Sequence, residues 1–169
     1  MRERSELILG DLIRLRAEKV PDRDVLTFEH LSLDGERTPD EVRTYAELAT
    51  NADRIAGALA ARGLERGDRF ALMMRNHPEY VETMAAASLS ATAFVPIDPR
   101  SRGDKLAYFL ASARCRGVVC ADYCLPALLA VRDMLPDLEW ILALETGEEP
   151  GAPRVADATG VESLREVLA

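Results

Sequence analysis

The stretch from Arg69 to Pro99, RFALMMRNHPEYVETMAAASLSATAFVPIDP, constrains the fold more than any other, because it sets a helix-like run between two short strand-like ones. Phe70 to Met74 is apolar and ends at Arg75 and Asn76, and Phe94 to Ile97 is a second strand-like run bounded by Asp98 and Pro99. Pro78 suits a first helical position, where its missing N–H costs nothing, with Asn76 or His77 as the cap. Tyr80, Val81, Met84, Ala85, Leu89 and the alanines among them leave that helix little polar surface. A helix apolar on most sides belongs between layers, where small residues let backbones approach. One β-loop-α-β unit of this kind predicts a parallel α/β core.

The flanking sequence extends the pattern. Asp11 to Lys19 reads as a helix capped by Asp11 and stopped before Pro21. Val25 to His30 and Val42 to Thr44 read as paired strands around a polar turn, Ser32 to Glu41. In Tyr45 to Arg62, the residues Leu48, Ala52, Ile55, Ala56 and Leu59 keep a helical rhythm, Thr44 and Glu47 form a capping box, and Gly63 supplies a left-handed stop. Beyond the central unit, Ser101 and Asp104 cap a helix running to about Ala113, Gly117 to Cys120 is a strand, and Asp122 caps a helix that bears Leu125, Leu128, Leu129 and Leu135. Trp140 to Leu144 is the next strand. Three crossovers thus link four strands, and the expected fold class is α/β: a mostly parallel sheet with helices on both faces, plus a short N-terminal hairpin. Residues 1–144 form this α/β unit. From Glu145 to Gly160 the composition shifts to Gly, Pro, Glu, Ala and Thr without period, so 145–169 reads as a loop followed by a short helix, Ser163 to Leu168.

Charge and cysteine content narrow the function classes. A net charge of −8 with scattered arginines argues against nucleic acid as a partner. The three cysteines, Cys115, Cys120 and Cys124, are odd in number and clustered, unlike a secreted disulfide framework, and predict reduced thiols in a cytoplasmic protein. A zinc site would need a fourth ligand, and neither His30 nor His77 lies near them in sequence, so no metal site is expected. Leu7 to Leu9 is too short an apolar run for a signal peptide. The uncharged run from Thr83 to Ile97 falls short of the ~20 residues a membrane span requires.

The search for chemistry returns mostly absences. No G-x-G-x-x-G, G-x-x-x-x-G-K-[ST], G-x-S-x-G, H-E-x-x-H or C-x-x-C occurs. Three candidate ligand-contacting residues remain at strand ends, where this fold class carries its sites: His77, and Arg100 or Arg102 facing a phosphate. The plainer readings are a helix cap for His77 and a solvated turn for the arginines. Glu79 and Glu82, spaced i, i+3, share a helix face and read as a solvated edge rather than a carboxylate pair.

Taken together, Thr44-Tyr45-Ala46-Glu47-Leu48 and Ala93-Phe94-Val95-Pro96-Ile97-Asp98-Pro99, with the upstream RAEKVPDRDVLTFE and the ending ESLREVLA, resemble the N-terminal portion of the adenylate-forming superfamily of acyl-CoA synthetases, fatty acyl-AMP ligases and peptide-synthetase adenylation domains. The sequence departs from that pattern at Ser90-Ala91-Thr92, where a Gly is usual in the last place, so the turn there is expected to be stiffened by a β-branched residue. The resemblance implies a parent enzyme that uses ATP and Mg to convert a carboxylic acid to an acyl adenylate, then passes the acyl group to a thiol such as CoA. It also implies that the phosphate loop, the Glu and Asp that handle magnesium and ribose, and the catalytic Lys have no counterpart in this chain. On this reading the chain is an N-terminal subdomain, cut off before the active site, that holds no catalytic residue and no cofactor and self-associates through surface the rest of the parent would cover. The alternative is a free-standing binding or assembly domain that reuses the fold without chemistry.

Overall fold

The three runs that read as unbroken apolar strands form the middle of the sheet. A computed structural model describes residues 5–29 and 39–169; most of the expected turn at Ser32 to Glu41, and His30, lie outside the described residues. Strands β3 (Arg69–Met73), β5 (Gly117–Ala121) and β6 (Trp140–Leu144) are buried along nearly their whole length, as strands covered on both faces must be. They are flanked by β4 (Ala93–Pro96) and β7 (Glu162–Ser163) in a five-stranded parallel sheet of order β4-β3-β5-β6-β7. The fifth strand, β7, was not legible as a strand: it is two residues long and carries no apolar alternation. It joins the edge of β6 through the Leu142–Glu162 and Ala143–Ser163 pairs.

The N-terminal hairpin pairs β1 (Asp24–Phe28) with β2 (Glu41–Thr44) antiparallel. Helix α1 (Leu9–Lys19) starts at an Ile8 cap, not at Asp11. Asp11 sits inside the first turn and its carboxylate accepts from the Ser5 backbone N–H. Helix α2 (Tyr45–Ala61) has the expected capping box, with Glu47 N–H donating to Thr44 Oγ1 and Thr44 N–H donating to the Glu47 carboxylate. Gly63 then turns left-handed at φ 75°, letting Leu64 N–H reach Leu59 O at 3.2 Å while the Leu64 side chain joins the core.

Helix α3 (Pro78–Ser90) explains its own composition by its position. Ala86 and Ala87 face the sheet core with Tyr80 and Met84, whereas Ala85, Val81 and Leu89 join a second cluster with Ile13 of α1 and Leu48 and Ala52 of α2. The helix is thus buried between layers. Its left-handed stop falls on Ala91 at φ 55°, one residue before the Thr92 at which the stiffened turn was expected. Thr92 takes an ordinary conformation and its hydroxyl bonds to Ser90 Oγ at 2.9 Å. Helices α4 (Gly103–Ser112) and α5 (Leu125–Val131) pack beside one another and bury Leu106, Leu110, Leu125 and Leu128 in the sheet core. The cap of α4 is Arg102 and makes no side-chain cap bond, so Ser101 and Asp104 do not act as a cap pair. Asp122 opens a turn of 3-10 helix instead of capping α5 directly. The short helix α6 (Leu164–Leu168) begins at Ser163, whose hydroxyl accepts from Glu166 N–H, and packs against α2.

Candidate site at the strand reversal

The order β4-β3-β5 places a reversal between β3 and β5. From β3 the chain crosses one way through α3 to β4, then returns past β3 through α4 to β5. The loops that leave the carboxyl ends of β3 and β5 therefore diverge, and open α/β sheets take ligands in the crevice left between such loops. The first loop carries Arg75, Asn76 and His77, and the second carries Asp122 and Tyr123.

These two loops meet through one phenol. Tyr123 Oη accepts the Arg75 backbone N–H at 2.6 Å and lies 3.1 Å from His77 Nε2. The Arg75 guanidinium stacks 4.5 Å from the Tyr123 ring centre. Burial pushes the Tyr123 hydroxyl well above its usual range, so it stays a neutral phenol, and the imidazole tautomer sets the direction of its bond to His77 Nε2. His77 is thus buried and bonded through its ring, and it makes no side-chain cap bond to α3.

A third loop closes over this pair. Asp122, 2% exposed, accepts four hydrogen bonds: Oδ1 from Tyr123 N–H at 2.8 Å and Thr146 Oγ1 at 2.7 Å, Oδ2 from Thr146 N–H at 2.8 Å and Gly147 N–H at 3.0 Å. Burial alone would raise this carboxyl. The bonds from Thr146, Gly147 and Tyr123 outweigh burial and hold it below the usual carboxylate range. Asp122 thereby pins the exit of β6, and the next residues reach back: Glu149 pairs with Arg75, and Glu148 lies 3.6 Å from Arg75 and 3.8 Å from His77 Nε2. A cleft of about 360 Å³ lies beside this loop, lined by Glu145, Thr146, Gly147, Ser163 and Arg165.

The two arginine candidates sit elsewhere. Arg100 is exposed and folds back on Asp98 at 2.8 Å, and its side chain holds the Asp98 carboxyl at about 2. Arg102 donates to the carbonyls of Pro99 and Ser101, at 2.5 and 2.9 Å. Both are tied to their own turn. The solvated edge expected for Glu82 is corrected: Glu82 is wholly buried, and its Oε1 accepts from Arg43 Nε at 2.9 Å and Asn51 Nδ2 at 2.8 Å. Burial raises its pKa above the usual carboxylate range. Arg43 lies 39 residues upstream, so i, i+3 spacing held no sign of it. Among the described residues no group of three or more His, Cys, Asp or Glu could hold a metal ion. The three cysteines are free and buried.

A family model described as AMP-binding enzyme matches residues 13–166. The chain belongs to this AMP-binding enzyme family. A 4-hydroxybutyrate–CoA ligase from Metallosphaera sedula is 30% identical over 129 residues, 76% of this chain and 23% of that protein. Tyrocidine synthase 3 from Brevibacillus parabrevis is 29% identical over the same share of this chain, which is 2% of that protein. Among solved structures, a long-chain-fatty-acid–CoA ligase from Archaeoglobus fulgidus superposes with a TM-score of 0.76 at 20% identity, over 99% of this chain and 30% of its own. An acetoacetyl-CoA synthetase from Streptomyces lividans gives 0.78 at 17%, over 95% and 25%. These likenesses establish the fold as the N-terminal part of an adenylate-forming enzyme. The chain spans less than a third of the length of each of these relatives.

Within the AMP-binding enzyme family, the two motifs that carry the resemblance have structural duties here. Thr44 and Glu47 cap α2, and Ala93–Pro96 is an edge strand whose following turn is closed by Ser101 N–H donating to Asp98 O at 2.9 Å. No chemical step is assigned to this chain.

Proposed function

We propose that this chain serves as the N-terminal subdomain of an AMP-forming carboxylate–CoA ligase. Residues 1–144 make the scaffold, and residues 145–169 lead from it towards the part that handles phosphates. The observation that carries the reading is the family match from residue 13 to 166, joined to a fold shared over 99% of the chain. The names of the similar proteins support a carboxylic acid and CoA, and the family's description as AMP-binding supports an adenine nucleotide such as ATP, as what the complete enzyme would handle. In that setting the Tyr123–His77–Arg75 cluster would stiffen the carboxyl ends of β3 and β5, with His77 as the candidate ligand contact within it, while Arg100 and Arg102 would remain candidates on the separate turn after β4. Among the described residues no helix is long and apolar enough to cross a membrane, so the scaffold would meet no lipid core through one.

The test is carboxylate-dependent exchange of labelled pyrophosphate into ATP by the purified 169-residue chain. No exchange above background is expected with any acid offered. Robust exchange would overturn the scaffold reading. Reading the coding DNA beyond Ala169 gives a second check: an in-frame segment rich in Ser, Thr and Gly supports a ligase subdomain, and a natural stop favours a free-standing domain without chemistry.

A further inference from the structure

One buried carboxyl group lies apart from the strand reversal. Glu82, wholly buried on α3, is bonded at one oxygen: Oε1 accepts from Arg43 Nε of β2 at 2.9 Å and from Asn51 Nδ2 of α2 at 2.8 Å, while Oε2, also buried, has no partner among the described residues. These bonds tie the hairpin and α2 to α3 at a single side chain. Beside them, Val25 and Leu26 of β1 pack on the apolar cluster of Ile13, Leu48 and Ala52.

The charges around Glu82 do not balance. Three carboxyl groups surround the Arg43 guanidinium: Glu82, Glu41 of β2 with an oxygen 2.5 Å from Nη2, and Glu79 of α3 3.9 Å from the same nitrogen. Glu47, at the start of α2, also feels this guanidinium but is bonded to Thr44. Helix α1, packed on α2 and α3, pairs its Arg14 with Asp53 of α2. One guanidinium cannot neutralise three carboxylates, and the surplus negative charge is least tolerable where no water reaches. An ionised Glu82 would hold a buried, unpaired oxyanion at Oε2. A neutral carboxyl leaves only a hydroxyl unpaired there and still offers Oε1 to Arg43 and Asn51.

We propose that Glu82 is a proton-linked clasp for the N-terminal hairpin: with a proton on Glu82 the hairpin seats on α2 and α3, and loss of that proton as pH rises loosens it. The sign follows from the surroundings. Burial, the largest influence, raises the Glu82 carboxyl above its ordinary 4.5 with help from the Glu79 charge, and the bonds from Asn51 and Arg43 oppose it without cancelling it. The closed hairpin therefore binds more protons than the open one, in which Glu82 is hydrated. The stabilisation is complete below the ordinary value and is lost as pH rises through the higher, folded one. An Arg–Glu pair that served only as a salt bridge would behave oppositely and strengthen as its carboxylate ionised.

Amide hydrogen exchange on the full chain from about pH 5 to 8, expressed as protection relative to an unstructured peptide at each pH, tests the proposal. In the wild type the amides paired between β1 and β2 are expected to lose protection by at least about threefold across that range. Glu82→Gln keeps an acceptor for Arg43 and Asn51 and imitates the protonated side chain, so it is expected to flatten the loss. Glu79→Gln removes the neighbouring negative charge and is expected to move the midpoint of the loss to lower pH, a shift that a purely structural contact would not produce. Wild-type hairpin protection that stays level or rises with pH overturns the proposal, as does a loss that Glu82→Gln leaves unchanged. If Glu82→Gln fails to fold, a midpoint that Glu79→Gln leaves at the wild-type value overturns it.

Discussion

Asp122→Asn tests whether one buried carboxylate holds the strand-reversal loops together. The substitution keeps the shape of the side chain and replaces one acceptor oxygen by an NH₂ group. If the NH₂ takes the Oδ2 place, it confronts the backbone N–H groups of Thr146 and Gly147; if it takes the Oδ1 place, it confronts Tyr123 N–H, and only the Thr146 hydroxyl can turn to accept. At least one backbone N–H loses its acceptor in either arrangement, buried at Tyr123 and part-buried at Thr146 and Gly147, at about 1–3 kcal/mol, and the remaining bonds lose the strength a charged acceptor lends. The summed cost is about 2–4 kcal/mol at neutral pH, which for a chain of this size lowers Tm by about 4–16 °C. Scanning calorimetry of both proteins at neutral pH measures it. Acid supplies the second arm. The Asp122 carboxyl is held below its ordinary 3.8, so its contribution is complete above the unfolded-state pKa and is lost as pH falls through the lower, folded one. The gap between wild type and variant should therefore close progressively below about pH 4. A Tm difference under 1 °C at neutral pH, or a gap that widens on acidification, would refute the reasoning.

Three further perturbations probe the packing. Burial pushes the Cys115 thiol up to about 11, that of Cys124 up to about 12 and that of Cys120 well above its ordinary range, so the folded protein should resist a thiolate-seeking reagent at pH 8 and release three reactive thiols on denaturation. Gly117→Ala would place a Cβ 2.0 Å from the Trp140 ring, within the strand pair of β5 and β6. A loss of about 1–3 kcal/mol is expected in urea titration, with a shift in the emission of the single tryptophan. Ala86→Leu overfills the contact of α3 with the sheet, where Ala86 is wholly buried, and should cost about 1–3 kcal/mol; a neutral result would mean that the helix stands away from the sheet.

What could be read in advance was local. Thr44 and Glu47 lie three residues apart, and a capping box needs nothing beyond that spacing, so the start of α2 was legible, as was its glycine stop. The apolar runs of β3, β5 and β6 were legible because strands covered on both faces show no alternation. The site was less so. His77 stood out by residue type and position, but its partner Tyr123 lies 46 residues away on the turn after β5, and no spacing rule connects them. Asp122 read as a helix cap because Asp before an apolar run usually is one. It instead holds the loop after β6, which comes beside it only once β5 and β6 have paired. Glu82 read as solvated for the same reason: its two partners lie on β2 and α2, and their approach is a property of packed layers.

The amino-acid sequence by itself determined the class of fold, the order of most elements and the ends of α2, because periodicity, propensity and capping act over a few residues and leave their mark in neighbouring positions. Tertiary structure alone decided that β7 completes the sheet, that Glu82 is buried, and that Arg75, His77, Asp122 and Tyr123 meet at one strand reversal. Each of these depends on which strands pair and which layers touch, and the hydrogen bonds that result join residues up to 48 positions apart.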